Sequence, residues 1–289
     1  MHQWFSYPQM PVEIPFPFGW HLGPIAGVHF YGISYLIGFL CVYLWVSRPA
    51  SLKRLGITRE QVGDFIFYAV VGVLVGGRAL FVIADMLTPV SRGGHPASFY
   101  FGDPINFVAV WQGGMAFHGG AIGAIVAIVL FCYKHRPLKP TALADEIVAL
   151  VPIGIGLTRI VNFINDELWG RVCRPDHPYC MVFPTAPLVG GANLPRYPSQ
   201  LFESVLDFLT LPILLAVYRT KPRNGVVAWT WFTLYGITRS IAEIWRQPGI
   251  LVFHVITGGQ LLAIPMIVIG AIGIWYCLTR SPSQSAATA

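Results

Sequence analysis

Charged side chains are scarce in this chain: 11% of its 289 residues are Asp, Glu, Lys or Arg, where an ordinary soluble domain carries roughly 25%. That leaves too little polar surface to keep a protein of this size in water. Acidic residues number only 13, and the 19 Lys and Arg are dispersed among apolar segments without forming a basic stripe; nucleic acid is therefore not an expected partner. Five cysteines are too few for a small secreted scaffold stapled by disulfides. Residues 1–26 contain no Lys or Arg and are interrupted by Pro8, Pro11, Pro15, Pro17 and Pro24, so no cleavable signal peptide is expected there. What the chain has in excess is apolar: 55% of its residues are hydrophobic. That excludes disordered and collagen-like chains and points to an integral protein of the lipid bilayer.

Near-continuous apolar runs lie at 27–46, 64–87, 115–133, 143–165, 199–218, 226–245 and 256–278. They do not alternate as the strands of a closed barrel do, which leaves helices as the spanning elements. The expected fold is an all-α membrane protein, a polytopic bundle of seven transmembrane helices with periplasmic arm and loop elaborations. It reads as a single transmembrane domain over 1–289, with a periplasmic N-terminal arm at 1–26, a long periplasmic connection at 166–198 and a cytoplasmic tail at 279–289. The arm carries Trp4, Phe5, Tyr7, Phe16, Phe18 and Trp20, residues suited to the membrane interface. The connection is too long for a simple turn and is either functional or separately folded. Basic residues set the orientation. Arg48, Lys53, Arg54, Arg59, Lys134, Arg136, Lys139, Arg219, Lys221, Arg223 and Arg280 fall on one side, and only Arg92, Arg171, Arg174, Arg196 and Arg246 on the other. The positive-inside tendency then puts the N-terminus outside and the C-terminus in the cytoplasm.

Cys41, Cys132 and Cys277 lie in spans and read as small buried hydrophobes. Cys173 and Cys180 fall in the long outer connection. They are either a disulfide of an oxidising compartment or, with His177, a weak metal-ligand cluster; no metal or cofactor is expected on this pattern.

Ionisable and strongly polar groups inside a bilayer are costly enough to count as functional candidates. Tyr31, His118 and Glu203 sit near the outer ends of inward-running spans. Arg78, Arg159 and Arg239 lie past the midpoints of outward-running ones, with Asn162, Asn165 and Glu167 closing the fourth. Spacings of three place Arg159, Asn162 and Asn165 on one helix face, and Arg239, Glu243 and Arg246 recur at helical spacing on another. Glycines 76, 77, 119, 120, 123, 154 and 156 let helices approach closely. Guanidiniums outnumbering nearby carboxylates imply a positive cavity, and Arg binds phosphate in two-pronged fashion; an anionic phospholipid headgroup is the ligand expected. Each residue also has a plainer reading. Arg239 and Glu243 form a stabilising ion pair, Asn162 and Asn165 bond to neighbouring helices, His118 is a core histidine, or Arg78 anchors loop carbonyls.

Seven stretches carry a resemblance: HFYG at 29–32, GGR at 76–78, GGMAFHGG at 113–120, RIVNFINDELWG at 159–170, YPSQLFE at 197–203, YGITRSIAEIWRQP at 235–248 and GQLLAIPM at 259–266. In order, they resemble the successive motifs of the bacterial prolipoprotein diacylglyceryl transferases. The resemblance implies an inner-membrane enzyme that moves a diacylglyceryl group from phosphatidylglycerol to the lipobox cysteine of a prolipoprotein signal peptide, releasing glycerol phosphate. It implies catalytic roles for His118, Arg159, Arg239 and Tyr31. It also implies that Asn162, Glu167, Gly170, Glu243 and Arg246 belong to the functional polar set, with Asp145 at the inner end of the fourth span. Arg78, Asn165 and Glu203 join the expected phosphatidylglycerol ligands. The chain departs from the family pattern at Gln112, Ala116, Thr158, Val161 and Tyr197.

The implied reaction is displacement at a glycerol carbon by a thiol. It needs a base, since a free thiol has a pKa near 8.5, and cations for the leaving phosphate. The rival expectation is a divergent member that binds anionic phospholipid or lipoprotein precursors as a transporter or scaffold without transferase activity.

Overall fold

A helix that crosses lipid satisfies its amides in its own ladder and turns apolar side chains outward, and most of this chain does both. The computed structural model describes residues 5–6, 13–15, 27–110, 113–174, 177–247, 251–252 and 256–279. Most of the arm at 1–26, the departure at Gln112 and the tail after 279 lie outside the described residues. The described residues fall into two compact units, those within 1–15, 27–42 and 144–289, and those within 43–143.

The helices are α1 (Phe30–Val46), α2 (Pro49–Leu55), α3 (Arg59–Leu87), α4 (Ala97–Gly102), α5 (Ile105–Val108), α6 (Phe117–Lys134), α7 (Pro140–Val148), α8 (Val151–Ile164), α9 (Ser199–Arg219), α10 (Val226–Ala242) and α11 (Gly258–Thr279). Four of them, α3, α6, α9 and α11, are long and apolar enough to cross a membrane, and the bent pairs α1 with α2 and α7 with α8 raise the number to six. The fold class is the one expected, and four to six spans meet that length and composition among the described residues. Pro49 and Pro152 stand in the first turns of α2 and α8, the second members of the two bent pairs. The run at 226–245 is helical for 17 residues, roughly 26 Å at 1.5 Å per residue, somewhat less than a hydrocarbon core of about 30 Å. Leu36, Phe67, Val75, Ile125, Leu209, Leu261 and Ile272 remain exposed on their helices, as a surface solvated by lipid tails requires.

In the second unit, α3 opens on a capping box between Thr58 and Gln61 and packs along α6 through paired small residues. A β-carbon at Gly76 would come within 3.0 Å of the Gly123 Cα, and one at Gly119 within 2.7 Å of the Leu80 Cβ. Gly72 and Gly76 on α3, like Gly119 and Gly123 on α6, are one turn apart, so two backbones meet along a stripe without side chains. After α3, the segment through α4 and α5 is tied back by Asp85, which accepts from the Tyr100 hydroxyl at 2.7 Å and contacts His95 Nδ1 at 3.0 Å.

The first unit packs α8, α9, α10 and α11 with the start of α1. Gly156 admits the Phe208 ring, and the Ser204 hydroxyl donates to the Gly156 carbonyl at 2.9 Å. Gly236 brings α10 against the Ala263 carbonyl of α11. Asp145, fully buried in α7, accepts the Gly225 and Ala228 amides at 2.7 and 2.8 Å and so caps α10 from a distant element. The described residues of the 166–198 connection pack onto the adjoining ends of α8 and α9. Phe163, Phe183 and Ala186 form a small core with Trp169, Met181 and Leu201, and a strand at Met181–Val182 pairs in parallel with Phe5–Ser6. Asp166 and Leu168 take positive φ, reversing the chain at the end of α8.

Candidate active site

Glu203, in the first turns of α9 and buried, is the point on which three guanidiniums converge. Arg159 Nη2 of α8 lies 3.0 Å and Arg239 Nη1 of α10 3.7 Å from its Oε1, while Arg246 Nη1 donates to its Oε2 at 2.9 Å. Arg239 also pairs with Glu243 at 2.5 Å, one turn along its own helix. From Arg159 the polar chain continues, with Arg159 Nη1 3.4 Å from Asn162 Oδ1. The Asn162 amide donates to Glu167 at 3.1 Å and to the Tyr31 hydroxyl, Tyr31 donates to Glu167, and Asn165 donates to the same carboxylate at 3.3 Å. Side chains from α1, α8, α9 and α10 thus form one network in a single unit.

Its far wall is the connection. Gly170 donates to the Tyr197 carbonyl at 2.9 Å, and a β-carbon there would sit 2.5 Å from both the Tyr197 and Trp245 carbonyls, so only glycine fits. Arg171 donates to the carbonyls of Arg246 and Glu243 at 2.8 and 3.1 Å, which ties the connection to the end of α10. Arg196, buried, donates to Gly170 and Pro187 carbonyls at 3.1 and 3.2 Å and lies over the Trp169 ring; burial pushes its pKa down.

Of the expected site residues, Tyr31, Arg159, Asn162, Asn165, Glu167, Gly170, Glu203, Arg239, Glu243 and Arg246 come together in this unit. Arg78 and His118 belong to the other. Arg78 Nε donates to the Phe107 carbonyl at 3.1 Å, and its Nη atoms to those of Gly113, Gly114 and Asn106 at 2.8, 3.0 and 2.6 Å. That is the anchoring arrangement of its plainer reading. His118 is exposed in the first turn of α6. The excess of positive charge expected at the site is offset, because Glu203 and Glu243 stand directly against the arginines. Asp207, one turn beyond Glu203 and buried, is electrostatically coupled to Arg159 and Arg239.

Asp207 is absent from the sequence-derived set, as are Tyr235, which is close enough to Arg159 to interact with it electrostatically, and Gly259. The signal for Asp207 is its spacing of four from Glu203 in an apolar run; Tyr235 stands at the same spacing before Arg239. A disulfide joins Cys173 and Cys180, which removes the metal reading of that pair, and the His177 ring packs edge-on against Tyr197 at 4.7 Å. Two departures are absorbed locally: the Thr158 hydroxyl donates to the Gly154 carbonyl at 2.8 Å, and Val161 is buried.

Fold and site define a polytopic membrane protein with a buried, ion-paired arginine centre. Comparison with known proteins makes this specific. A family model described as prolipoprotein diacylglyceryl transferase matches residues 17–276. Similar proteins named phosphatidylglycerol–prolipoprotein diacylglyceryl transferase include that of Gluconobacter oxydans (strain 621H), 38% identical over 94% of this chain and 95% of its own. Those of Pseudomonas syringae pv. syringae (strain B728a) and Bordetella parapertussis (strain 12822) are each 39% identical, over 98% and 96% of this chain and 99% of their own. The chain belongs to the prolipoprotein diacylglyceryl transferase family.

Proposed function

We propose that this chain is a transferase of the bacterial inner membrane that moves a diacylglyceryl group from phosphatidylglycerol to the lipobox cysteine thiol of prolipoprotein signal peptides. The thiol loses its proton, the sulfur bonds to the terminal glyceryl carbon, and the bond from that carbon to the phosphate oxygen breaks. Glycerol phosphate leaves. Charge builds on the departing phosphate, and fixed donors aimed at it lower the barrier.

The supporting observation is a pair of buried donors. Arg159 Nε and Arg239 Nη1 have no hydrogen-bond partner among the described residues, although a buried guanidinium N–H without an acceptor is costly. A phosphate oxygen supplies that acceptor. In this reading Arg159 and Arg239 hold the phosphate, Asn162 and Tyr31 orient Arg159, and Glu167, Asn165 and Gly170 keep that wall in register. His118, the histidine to which the resemblance gives a catalytic role, takes the thiol proton. Arg78 holds Asn106, Phe107, Gly113 and Gly114 ahead of α6. In this reading the N-terminus is periplasmic and the C-terminus cytoplasmic, which the basic asymmetry of the connections supports.

The test is transfer by the purified full chain in phosphatidylglycerol vesicles to a lipobox peptide, read as the mass of the thioether product. Product formed with phosphatidylglycerol and lost with Arg159→Ala is expected. Phospholipid binding without any product, in a folded protein, overturns the reading in favour of a scaffold or transporter.

A further inference from the structure

Glu203 makes two unlike sets of contacts. Its Oε2 takes a well-aligned hydrogen bond from Arg246 Nη1 at 2.9 Å. Its Oε1 lies 3.0 Å from Arg159 Nη2 and 3.7 Å from Arg239 Nη1, yet it takes no hydrogen bond of acceptable geometry from either. Arg159 Nε and Arg239 Nη1 are left without acceptors beside it. One half of the carboxylate is anchored, and the other only neutralises charge at the point where two arginines meet.

A phosphate oxygen that bonds both Arg159 and Arg239 must lie where Oε1 lies, because the same guanidinium edges face that point. Two anionic oxygens cannot share it: like charges at such separations repel by several kcal/mol even at an effective dielectric constant near 20. Glu203 is buried to 2% exposure, so its carboxylate has no route to water and must keep a protein partner when it yields. Arg246 is that partner.

On the reading of this site as one for phosphatidylglycerol, we propose that Glu203 is a resident counter-anion. The lipid phosphate replaces its Oε1 at Arg159 and Arg239, and Arg246 retains it through Oε2. Arg246 is then a positioning residue that draws Glu203 aside, and not a ligand of the phosphate. The exchange keeps the two arginines neutralised in both states, and it makes phosphate affinity a competition between two anions. Asp207, one turn further along α9, stays beyond Glu203 and contributes equally before and after.

The test measures phosphatidylglycerol affinity and KM for the full chain in phosphatidylcholine nanodiscs, alongside transfer to a lipobox peptide. Wild-type protein that neither prefers phosphatidylglycerol over phosphatidylcholine nor transfers overturns the functional reading itself. Where wild type does both, Glu203→Gln is expected to bind phosphatidylglycerol about tenfold more tightly, and Arg246→Gln to raise its KM about tenfold with a smaller change in kcat. The double variant Glu203→Gln, Arg246→Gln carries the same net charge as wild type, so overall electrostatics cancel, and its balanced charge protects folding where the single glutamine variant fails. It is expected to bind phosphatidylglycerol more tightly than wild type, because Arg159 and Arg239 are uncontested. Affinity equal to or weaker than wild type in a folded double variant overturns the proposal, and so does a full Arg246 defect that persists in the Glu203→Gln background.

Discussion

Gly259 presses against Glu243: a β-carbon on Gly259 would overlap Glu243 Oε1, lie 2.6 Å from its Cδ and stand 2.7 Å from Arg239 Nη2. The first turn of α11 therefore closes over the Arg239–Glu243 pair only because residue 259 has no side chain. Gly259→Ala must displace one of the two, and a shift of about 1 Å at a catalytic group costs on the order of 10² in rate. Transfer activity reduced to that degree, with an unchanged elution profile in detergent, is the expected result. Near-wild-type turnover would show that the pair adjusts freely.

This contact also marks the limit of what the sequence reveals. The apolar runs and the polar residues inside them are conspicuous because lipid penalises every ionisable group, so Tyr31, Arg159, Asn162, Glu203 and Arg239 stand out without coordinates. Their partners do not. Whether Arg78 faces a ligand or four carbonyls depends on where Asn106, Phe107, Gly113 and Gly114 lie, in a stretch of sequence with no periodicity to read. The arginine excess inferred from composition is offset because α9 delivers Glu203 between helices remote in sequence. The bends that open α2 and α8 coincide with Pro49 and Pro152, residues a hydropathy reading passes over.

Asp145 caps α10 across 80 residues of chain, and its carboxylate is fully buried. Asp145→Ala leaves the Gly225 and Ala228 amides without that acceptor. The loss is expected to be about 1–3 kcal/mol, measured as a lower midpoint of thermal unfolding in detergent. Activity per folded molecule, measured alongside, separates this capping role from the functional role that the resemblance gives Asp145.

The disulfide between Cys173 and Cys180 belongs to the side proposed as periplasmic. A membrane-impermeant maleimide added to whole cells should label neither cysteine until a reductant is supplied. Reporter fusions at the two termini should fall on opposite sides of the membrane, with the C-terminus inside. Ready labelling of both cysteines without reductant, or termini on a shared side, would refute this placement.

Arg159 and Arg239 are proposed to hold phosphate through several directed N–H groups, which a lysine ammonium does not reproduce. Arg159→Lys and Arg239→Lys should each lose about 10²–10³ in kcat, the usual effect of removing a donor to developing charge. Charge is kept in both variants, so a defect below tenfold would mean that the arginines act only as point charges.

His118 is the remaining element of the proposed chemistry, and pH separates its possible roles. A general base contributes roughly 10²–10⁴ in rate, so His118→Ala should be severely impaired at neutral pH, where a free thiol with a pKa near 8.5 is mostly protonated. As pH rises through that value the substrate ionises unaided, and the requirement for a base lapses. The defect relative to wild type should therefore shrink progressively with pH, provided both proteins remain folded across the range. A constant defect from neutral pH to well above the thiol pKa would assign His118 to positioning the lipid or the adjoining segment, because an orienting contact does not depend on the ionisation of the thiol.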